Sequence, residues 1–414
     1  MATPPRTVLM VHNRYLERGG EDGVFEAECR LLEAAGLRVL PYERDNREVA
    51  TMSRLAVAAR TIWNRSAARD VDELVRRNQV DVVHFHNTFP LISPASHYAA
   101  KRAGAAVVQT LHNFRLLCPA GVLMRDGRPC ELCLDRTVKW PAVVHRCYRD
   151  DAAASTVVSG MLAVHGALRT WHSQVDAFIA LSRFARDRFV AGGLPADRIH
   201  INGGLVAAPV HDVTPAPDRG GSAEFLFVGR LAAEKGVVRL LDAWQLLPES
   251  FRLRIIGAGP LEDRVSAAAA ADSRITWLGE CPPTQVMAAM REAWALVFPS
   301  QCYENYPAVL AEAQAAGLPV IASGLGSGAE IVDDGGFGIL FDAEDAGSLA
   351  NAVQRMAADP DARAAYANRA TAAWREHLTP ERYVARLRHI YDCALARRAH
   401  DGVALPSTLP YDES

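Results

Sequence analysis

What the chain lacks narrows it first. No run of about 18 or more uncharged apolar residues occurs in its 414 positions, which argues against a membrane-spanning helix. The opening Met1-Ala-Thr-Pro-Pro-Arg-Thr7 has no apolar signal core before the first strand, so the expected location is the cytoplasm. Strong charge of either sign is missing too. The net is −3, with 22 % charged and 50 % hydrophobic residues, an ordinary soluble composition. A slightly negative chain without an aromatic–basic stripe is a poor nucleic-acid binder. Paired C-x2-C units are absent, and a single one occurs. The length exceeds one ordinary core, so two domains are expected.

The small net charge hides an asymmetry. Residues 1–200 carry 27 Lys and Arg against 21 Asp and Glu, and residues 201–414 carry 18 against 27. Ordinary surface variation is one reading. The other is a front half that approaches an anionic inner-membrane face as a peripheral protein. Arg54, Arg60, Arg65 and Arg69 interleave with Met52, Leu55, Val57, Ile62 and Trp63, and no acid falls between 52 and 69. Such a stretch lies on lipid as readily as it packs one face on a core.

Along the chain, Val8–Val11 reads as a buried strand. A loop with Gly19-Gly20 follows, then a helix from about Val24 to Ala35 and a strand at Leu37–Leu40. This strand–loop–helix–strand unit begins a doubly wound sheet. A diglycine lets a backbone approach a phosphate or sugar closely, though such pairs are common in loops. Val80–His86 and Ala106–Leu111 are further strands, placing His84, His86 and His112-Asn113 at or near carboxyl ends, where ligands of such sheets bind. His84, inside its strand, reads as structural, and His112 as functional. A helix is expected from Ser155 to about His172, a strand at Val175–Leu181, and Ser182 as the cap of the next helix.

Residues 115–150 interrupt the rhythm with Cys118-x11-Cys130-x2-Cys133-x13-Cys147. Four thiolates in a loop insertion could hold a structural zinc, or be four separate thiols. A catalytic zinc is disfavoured, because four protein ligands leave no open position.

The pattern restarts after the Pro-, Gly- and Asp-rich segment 207–222. Phe225–Val228 is a strand, Gly229-Arg230-Leu-Ala-Ala-Glu-Lys235-Gly236 a loop, and Val237–Leu247 a helix. Five more expected strands follow, Arg252–Ile256, Ile275–Leu278, Ala295–Phe298, Pro319–Ala322 and Phe337–Phe341, and a late amphipathic helix starts at Pro380. Arg230 and Lys235 stand where a diphosphate would meet a strand end and could offset the charge of a departing nucleoside diphosphate. Glu304-Asn305-Tyr306-Pro307 leads into a helix carrying Glu312, with Gly317 at its exit. Its unpaired N–H groups and dipole suit an anion. Two carboxylates beside such a helix start suit a ligand that combines hydroxyls with phosphate. Asp150-Asp151 and Asp333-Asp334 read as solvated turns.

Glu304-x7-Glu312, with the following Ala-x-Ala-Ala-Gly317-x-Pro-Val-Ile-Ala-Ser323, resembles the signature of glycosyltransferase family 4, retaining enzymes with the GT-B fold. Phe227-Val-Gly-Arg230-x4-Lys235-Gly236 is similar to the family's phosphate-binding element, and Gly19-Gly20 to its first-domain glycine loop. Asp81–Asn87 and Thr110–His112 look like its sugar-facing strand ends. The resemblance covers nearly the whole chain and implies two Rossmann-like α/β domains facing across a cleft. Their expected bounds are 1–205, with the cysteine-rich insertion 115–150, and 206–380. A helix at 381–398 should return to the first domain, and 399–414 should be a flexible tail.

By the same resemblance, Glu304 would contact the transferred sugar and Glu312 the ribose. Arg230, Lys235 and the amides near Asn305 and Tyr306 would bind the diphosphate, and His112 would lie near the reacting carbon. No cofactor is required for catalysis. The partners implied are a nucleotide-sugar donor and a glycan or lipid-linked acceptor in bacterial polysaccharide assembly. Where the family often has Gly-Phe-Gly after the first glutamate, this chain has Asn305-Tyr306-Pro307, and Pro307 offers no N–H. A nucleotide-sugar epimerase or hydrolase and a non-catalytic scaffold are the alternatives.

Overall fold

A computed structural model describes residues 6–16, 19–206 and 223–399. The expected boundary segment 207–222 and nearly all of the tail lie outside the described residues. The chain divides into two units. One is Met1–Leu123, Glu131–Gly203 and Pro380–Ser414; the other is Met124–Cys130 and Gly204–Thr379.

Each unit is built on a six-stranded parallel sheet. In the first, the strand order is Arg38–Asp45, Thr7–Arg14, Val82–Phe85, Ala106–Thr110, Ala177–Ala180, Ile199–Ile201. In the second it is Ile275–Trp277, Arg252–Ile256, Glu224–Val228, Ala295–Phe298, Val320–Ser323, Gly338–Phe341. The central strands are fully buried runs such as Val82–Phe85 and Ala295–Phe298, as expected when helices cover both faces. In both units the chain reverses direction across the sheet at its first strand. That topological switch opens a crevice at the carboxyl ends. In the first unit it lies between the ends of Thr7–Arg14 and Val82–Phe85, and in the second between those of Glu224–Val228 and Ala295–Phe298.

Several elements differ from the sequence reading. The first helix begins earlier, at Gly20, and runs to Ala34. The basic stretch 52–69 is divided between the helices Arg54–Ile62 and Arg65–Asn78. Asn64 caps the second by accepting from the amides of Ser66 and Ala67. The helix expected at 155–172 is two, Ala152–Ala167 and Thr170–Ser173, separated where Arg169 takes a left-handed conformation. Asp151 is the cap of the longer one. Asp333 and Asp334 close a helix, Gly326–Gly335, rather than form a turn. Ser182 does cap its helix, accepting from Ala185 N at 3.1 Å.

The last helix, Pro380–Ala399, packs in the first unit against the strands Ala106–Thr110 and Ala177–Ala180. It buries Tyr383, Leu387, Ile390, Tyr391 and Ala394, the i, i+4, i+7, i+8, i+11 stripe of an amphipathic helix. The Cys-rich segment does not stay together: its hairpin, Met124–Arg125 paired with Arg128–Pro129, groups with the second unit.

Candidate functional site

In the second unit, two loops meet at the switch point. One follows Glu224–Val228 and carries Arg230, Lys235 and Gly236. The other follows Ala295–Phe298 and carries Ser300 and Glu304. They approach so closely that a side chain on Gly236 would strike the Pro299 carbonyl at 1.8 Å, and Gly236 also has φ +72°. Only glycine meets both demands. The amide of Gln301 donates to the Glu234 carbonyl at 2.8 Å, which fixes the register of the two loops. Gly257 repeats the device one strand over, its missing Cβ lying 2.0 Å from the Gly229 carbonyl.

The result is an acid–base pair. Lys235 Nζ lies 2.5 Å from Glu304 Oε1, and Ser300 Oγ donates to the same oxygen at 3.0 Å. Ser327 Oγ holds the backbone carbonyl of Glu304 at 2.6 Å. Burial is the largest single influence on Lys235 and works against its charge, but Glu304 together with Cys302 and Glu234 raises the ammonium above its ordinary value. Arg230 is exposed on the same turn, Asn305 is buried and Tyr306 half-buried. The helix after them is Ala308–Ala315, with Pro307 as an N-cap that makes no side-chain hydrogen bond. Glu312 lies on it, half-buried, its carboxyl raised by burial alone. Gly317 ends the turn at φ +61°. An ammonium, a positive helix end and two carboxyl groups suit a ligand carrying phosphate and hydroxyls.

In the first unit, the backbone amide of Asn13 donates to the Asn87 carbonyl at 2.8 Å, and Asn87 Nδ2 donates back to the Asn13 carbonyl at 2.7 Å. These bonds pin the switch-point strand ends together. Gly19 is the N-cap of the first helix and its amide donates to Asp22 at 2.8 Å. Asn113 Nδ2 donates to Glu21 at 2.8 Å, tying the glycine turn to the end of Ala106–Thr110. His112 and His86 stack, with ring centroids 5.0 Å apart, and both line a cavity of about 40 Å³ with Asn113 and Arg115. Burial lowers the pKa of His112 well below the usual histidine value, with His86 adding to the effect, so the ring is neutral. His84 is fully buried and bonded on both sides, to Thr110 Oγ1 at 2.7 Å and Tyr391 Oη at 2.9 Å.

Cys118 and Cys133 are buried, Cys130 and Cys147 half-buried. A tetrahedral zinc with bonds of about 2.3 Å needs sulfurs roughly 3.8 Å apart. Among the described residues, the group of His, Cys, Asp or Glu donors that converges within 4.8 Å is Glu28, His84 and His86, and it includes no cysteine. Cys130 travels with the hairpin while the other three belong to the first unit.

Sequence reasoning passed over Ser300, Ser327 and Glu28. A lone serine carries no signal. Glu28 carries one: it stands in the stripe Phe25, Glu28, Leu32, where a core-facing helix should be apolar throughout.

Two doubly wound sheets, with polar groups gathered at each switch point, define a two-domain α/β protein of the nucleotide-binding type. Known sequences give it a family. The model described as Glycosyltransferase Family 4 matches residues 6–202, and that described as Glycosyl transferases group 1 matches 215–373. The chain belongs to the family 4 group of glycosyltransferases, with the GT-B fold.

Among curated relatives, a phosphatidyl-myo-inositol mannosyltransferase of Mycobacterium leprae is 36 % identical over 208 residues, 48 % of this chain and 54 % of that protein. A glycogen synthase of Mycobacterium tuberculosis is 34 % identical over 272 residues, 60 % of this chain and 63 % of that one. The chain thus spans roughly half to three-fifths of these relatives. Among solved structures, Anabaena HepE in complex with UDP superposes with a TM-score of 0.62 at 17 % identity, covering 93 % of this chain and 99 % of that one. Sucrose-phosphate synthase from Thermosynechococcus elongatus gives 0.68 at 16 %, covering 94 % and 99 %.

Proposed function

We propose that the chain transfers a sugar from a nucleotide-diphosphate sugar to a glycan or lipid-linked acceptor, with retention of configuration, in the assembly of a bacterial cell-surface polysaccharide. The observation that carries this is the Lys235–Glu304 pair at 2.5 Å, set beside an anion-ready helix start and Glu312. In this reading Arg230, Lys235 and the amides around Asn305 and Tyr306 take the diphosphate, and Glu312 takes the ribose hydroxyls. Glu304 takes a hydroxyl of the transferred sugar. As the leaving diphosphate gains charge, Lys235 and Arg230 offset it, so the reaction is proposed to need no metal. His112, neutral and at a strand end, meets the sugar near the reacting carbon. Relatives named as a lipid mannosyltransferase and a glycogen synthase support acceptors of the lipid-linked or glycan kind, and a neighbour solved with UDP supports a uridine donor.

The test is direct. Glu304→Ala and Lys235→Ala should each abolish transfer while leaving the protein folded, and full activity in either variant would sink the assignment. Donor turnover that ignores every acceptor would favour the epimerase or hydrolase instead.

Peripheral contact with an anionic membrane is supported by exposed apolar side chains next to arginines. Leu55 is 83 % exposed and Trp140 52 %, on helices that both pack on Ala152–Ala167, with Arg54 almost fully exposed beside Leu55. Co-sedimentation with anionic but not neutral vesicles is the outcome expected. A structural zinc on Cys118, Cys130, Cys133 and Cys147 stays a proposal, answered by elemental analysis.

A further inference from the structure

Glu28 is fully buried on the inner face of the helix Gly20–Ala34, where an ionised carboxyl needs a compensating charge. Among the described residues no lysine or arginine pairs with it, and the basic groups beside it are two imidazoles. His84 and His86 stand two residues apart at the end of the strand Val82–Phe85, so both rings leave the same face of the sheet. Glu28 Oε2 lies 3.1 Å from His86 Nε2 and 3.6 Å from His84 Nδ1. The three atoms all fall within 4.8 Å of one another.

Two features separate this cluster from a simple ion pair. The first is alignment. Oε2 and His86 Nε2 are 3.1 Å apart, yet neither makes a hydrogen bond among the described residues. The free direction of the nitrogen therefore passes beside the oxygen, as it does for two ligands aimed at a shared third point. A tetrahedral ion with bonds of about 2.1 Å sets its ligand atoms about 3.4 Å apart, and the two observed spacings bracket that value. The second feature is the surrounding shell. Metal-binding imidazoles tie their other nitrogen to a hydrogen-bond partner. His84 Nε2 lies 2.7 Å from Thr110 Oγ1, and His86 Nδ1 lies 2.9 Å from His112 Nε2. Tyr383, on the last helix of the same unit, donates to the other oxygen of Glu28. The competing contact is Tyr391 Oη, 2.9 Å from His84 Nδ1, and its hydrogen has a second acceptor in Met10 Sγ at 4.0 Å.

We propose that Glu28 Oε2, His84 Nδ1 and His86 Nε2 are the protein ligands of a buried structural zinc ion. Two imidazoles and one carboxylate suit this borderline ion, whereas calcium and magnesium take oxygen ligands. The ion supplies the positive charge that the buried carboxylate lacks, and it ties the first helix to the strand end beside His112. All three ligands are buried, so uptake accompanies folding and displaces protons from the ligands. The role is separate from sugar transfer, whose proposed charge stabilisation comes from Lys235 and Arg230.

The test uses the full chain, refolded with and without zinc and dialysed free of unbound ion. In the wild type, zinc X-ray absorption should show bonds to nitrogen and oxygen at about 2.0–2.1 Å. A shell of sulfur alone at about 2.3 Å would overturn the proposal with no variant at stake. Cys130→Ser with Cys133→Ser then removes thiolate binding from the count. About one zinc per chain should remain in that background and should raise the first unit's melting temperature. Glu28→Gln, which keeps the bond from Tyr383 but not the charge, should lose the ion. Tyr383→Phe leaves all three ligands in place and should weaken zinc binding about 10–100-fold, a readout that survives if Glu28→Gln does not fold. A cysteine variant that stays metal-free after refolding in zinc would overturn the site and leave a carboxylate–imidazolium pair. Zinc held with unchanged affinity by Tyr383→Phe and by Glu28→Gln would place the metal elsewhere and overturn it as well.

Discussion

Gly20 is the first residue of its helix, and a methyl group added there would meet nothing within 4 Å. Its φ is not left-handed either, so the fold itself has no need of glycine at that position. Gly20→Ala should therefore leave the melting temperature unchanged or slightly raised, since alanine is the better helix former, while sugar transfer falls sharply if a donor approaches this turn. Unchanged kinetics would remove the glycine turn from the site. Gly236 is the opposite case, glycine by demand of the protein's own backbone. The sequence marks both residues alike, and only the path of the neighbouring loop separates them. Glu304 and Lys235 were legible as separate members of a family motif. Their contact was not, because it depends on which strand of the sheet lies beside which.

At the scale of elements, the strand–helix alternation read well, because buried parallel strands are short apolar runs with glycine or proline at their ends. The breaks inside helical stretches did not. Asn64 and Arg169 sit in sequence that is periodic on both sides, and a buried cap or one left-handed residue leaves the hydrophobic spacing intact. The last helix was legible from its stripe, and its covering role makes a stability prediction. Leu387 is fully buried in it, so Leu387→Ala should cost about 2–5 kcal/mol and lower the first unit's melting temperature. Calorimetry checks this, and a change below about 1 kcal/mol would mean the helix is loosely docked.

For the whole molecule, acid should act unevenly. Burial lowers His12 and His97 to about 4, puts His84 and His112 well below their ordinary value, and lowers His165 as well. All five belong to the first unit. An unfolded chain takes protons on these rings near pH 6.5 and the folded unit does not, so the stability they carry is present above pH 6.5 and lost as pH falls. For His12 and His97 the loss is about 1.4 kcal/mol per pH unit each between 6.5 and 4. Scanning calorimetry at pH 7 and pH 5 should show the first unit's transition moving down much further than the second's; parallel shifts would contradict this.

The return of Pro380–Ala399 to the first sheet has a consequence for synthesis. The strands it covers leave the ribosome before all of 204–379, which apart from the hairpin is the second unit. At roughly 5–20 residues per second, the nascent amino-terminal half waits about ten seconds or more with an apolar face unsealed. The carboxyl-terminal half can close as soon as it emerges. Maturation then runs against the direction of translation, and a stop codon just after Thr379 would release a chain whose later half is folded and whose earlier half is a chaperone client.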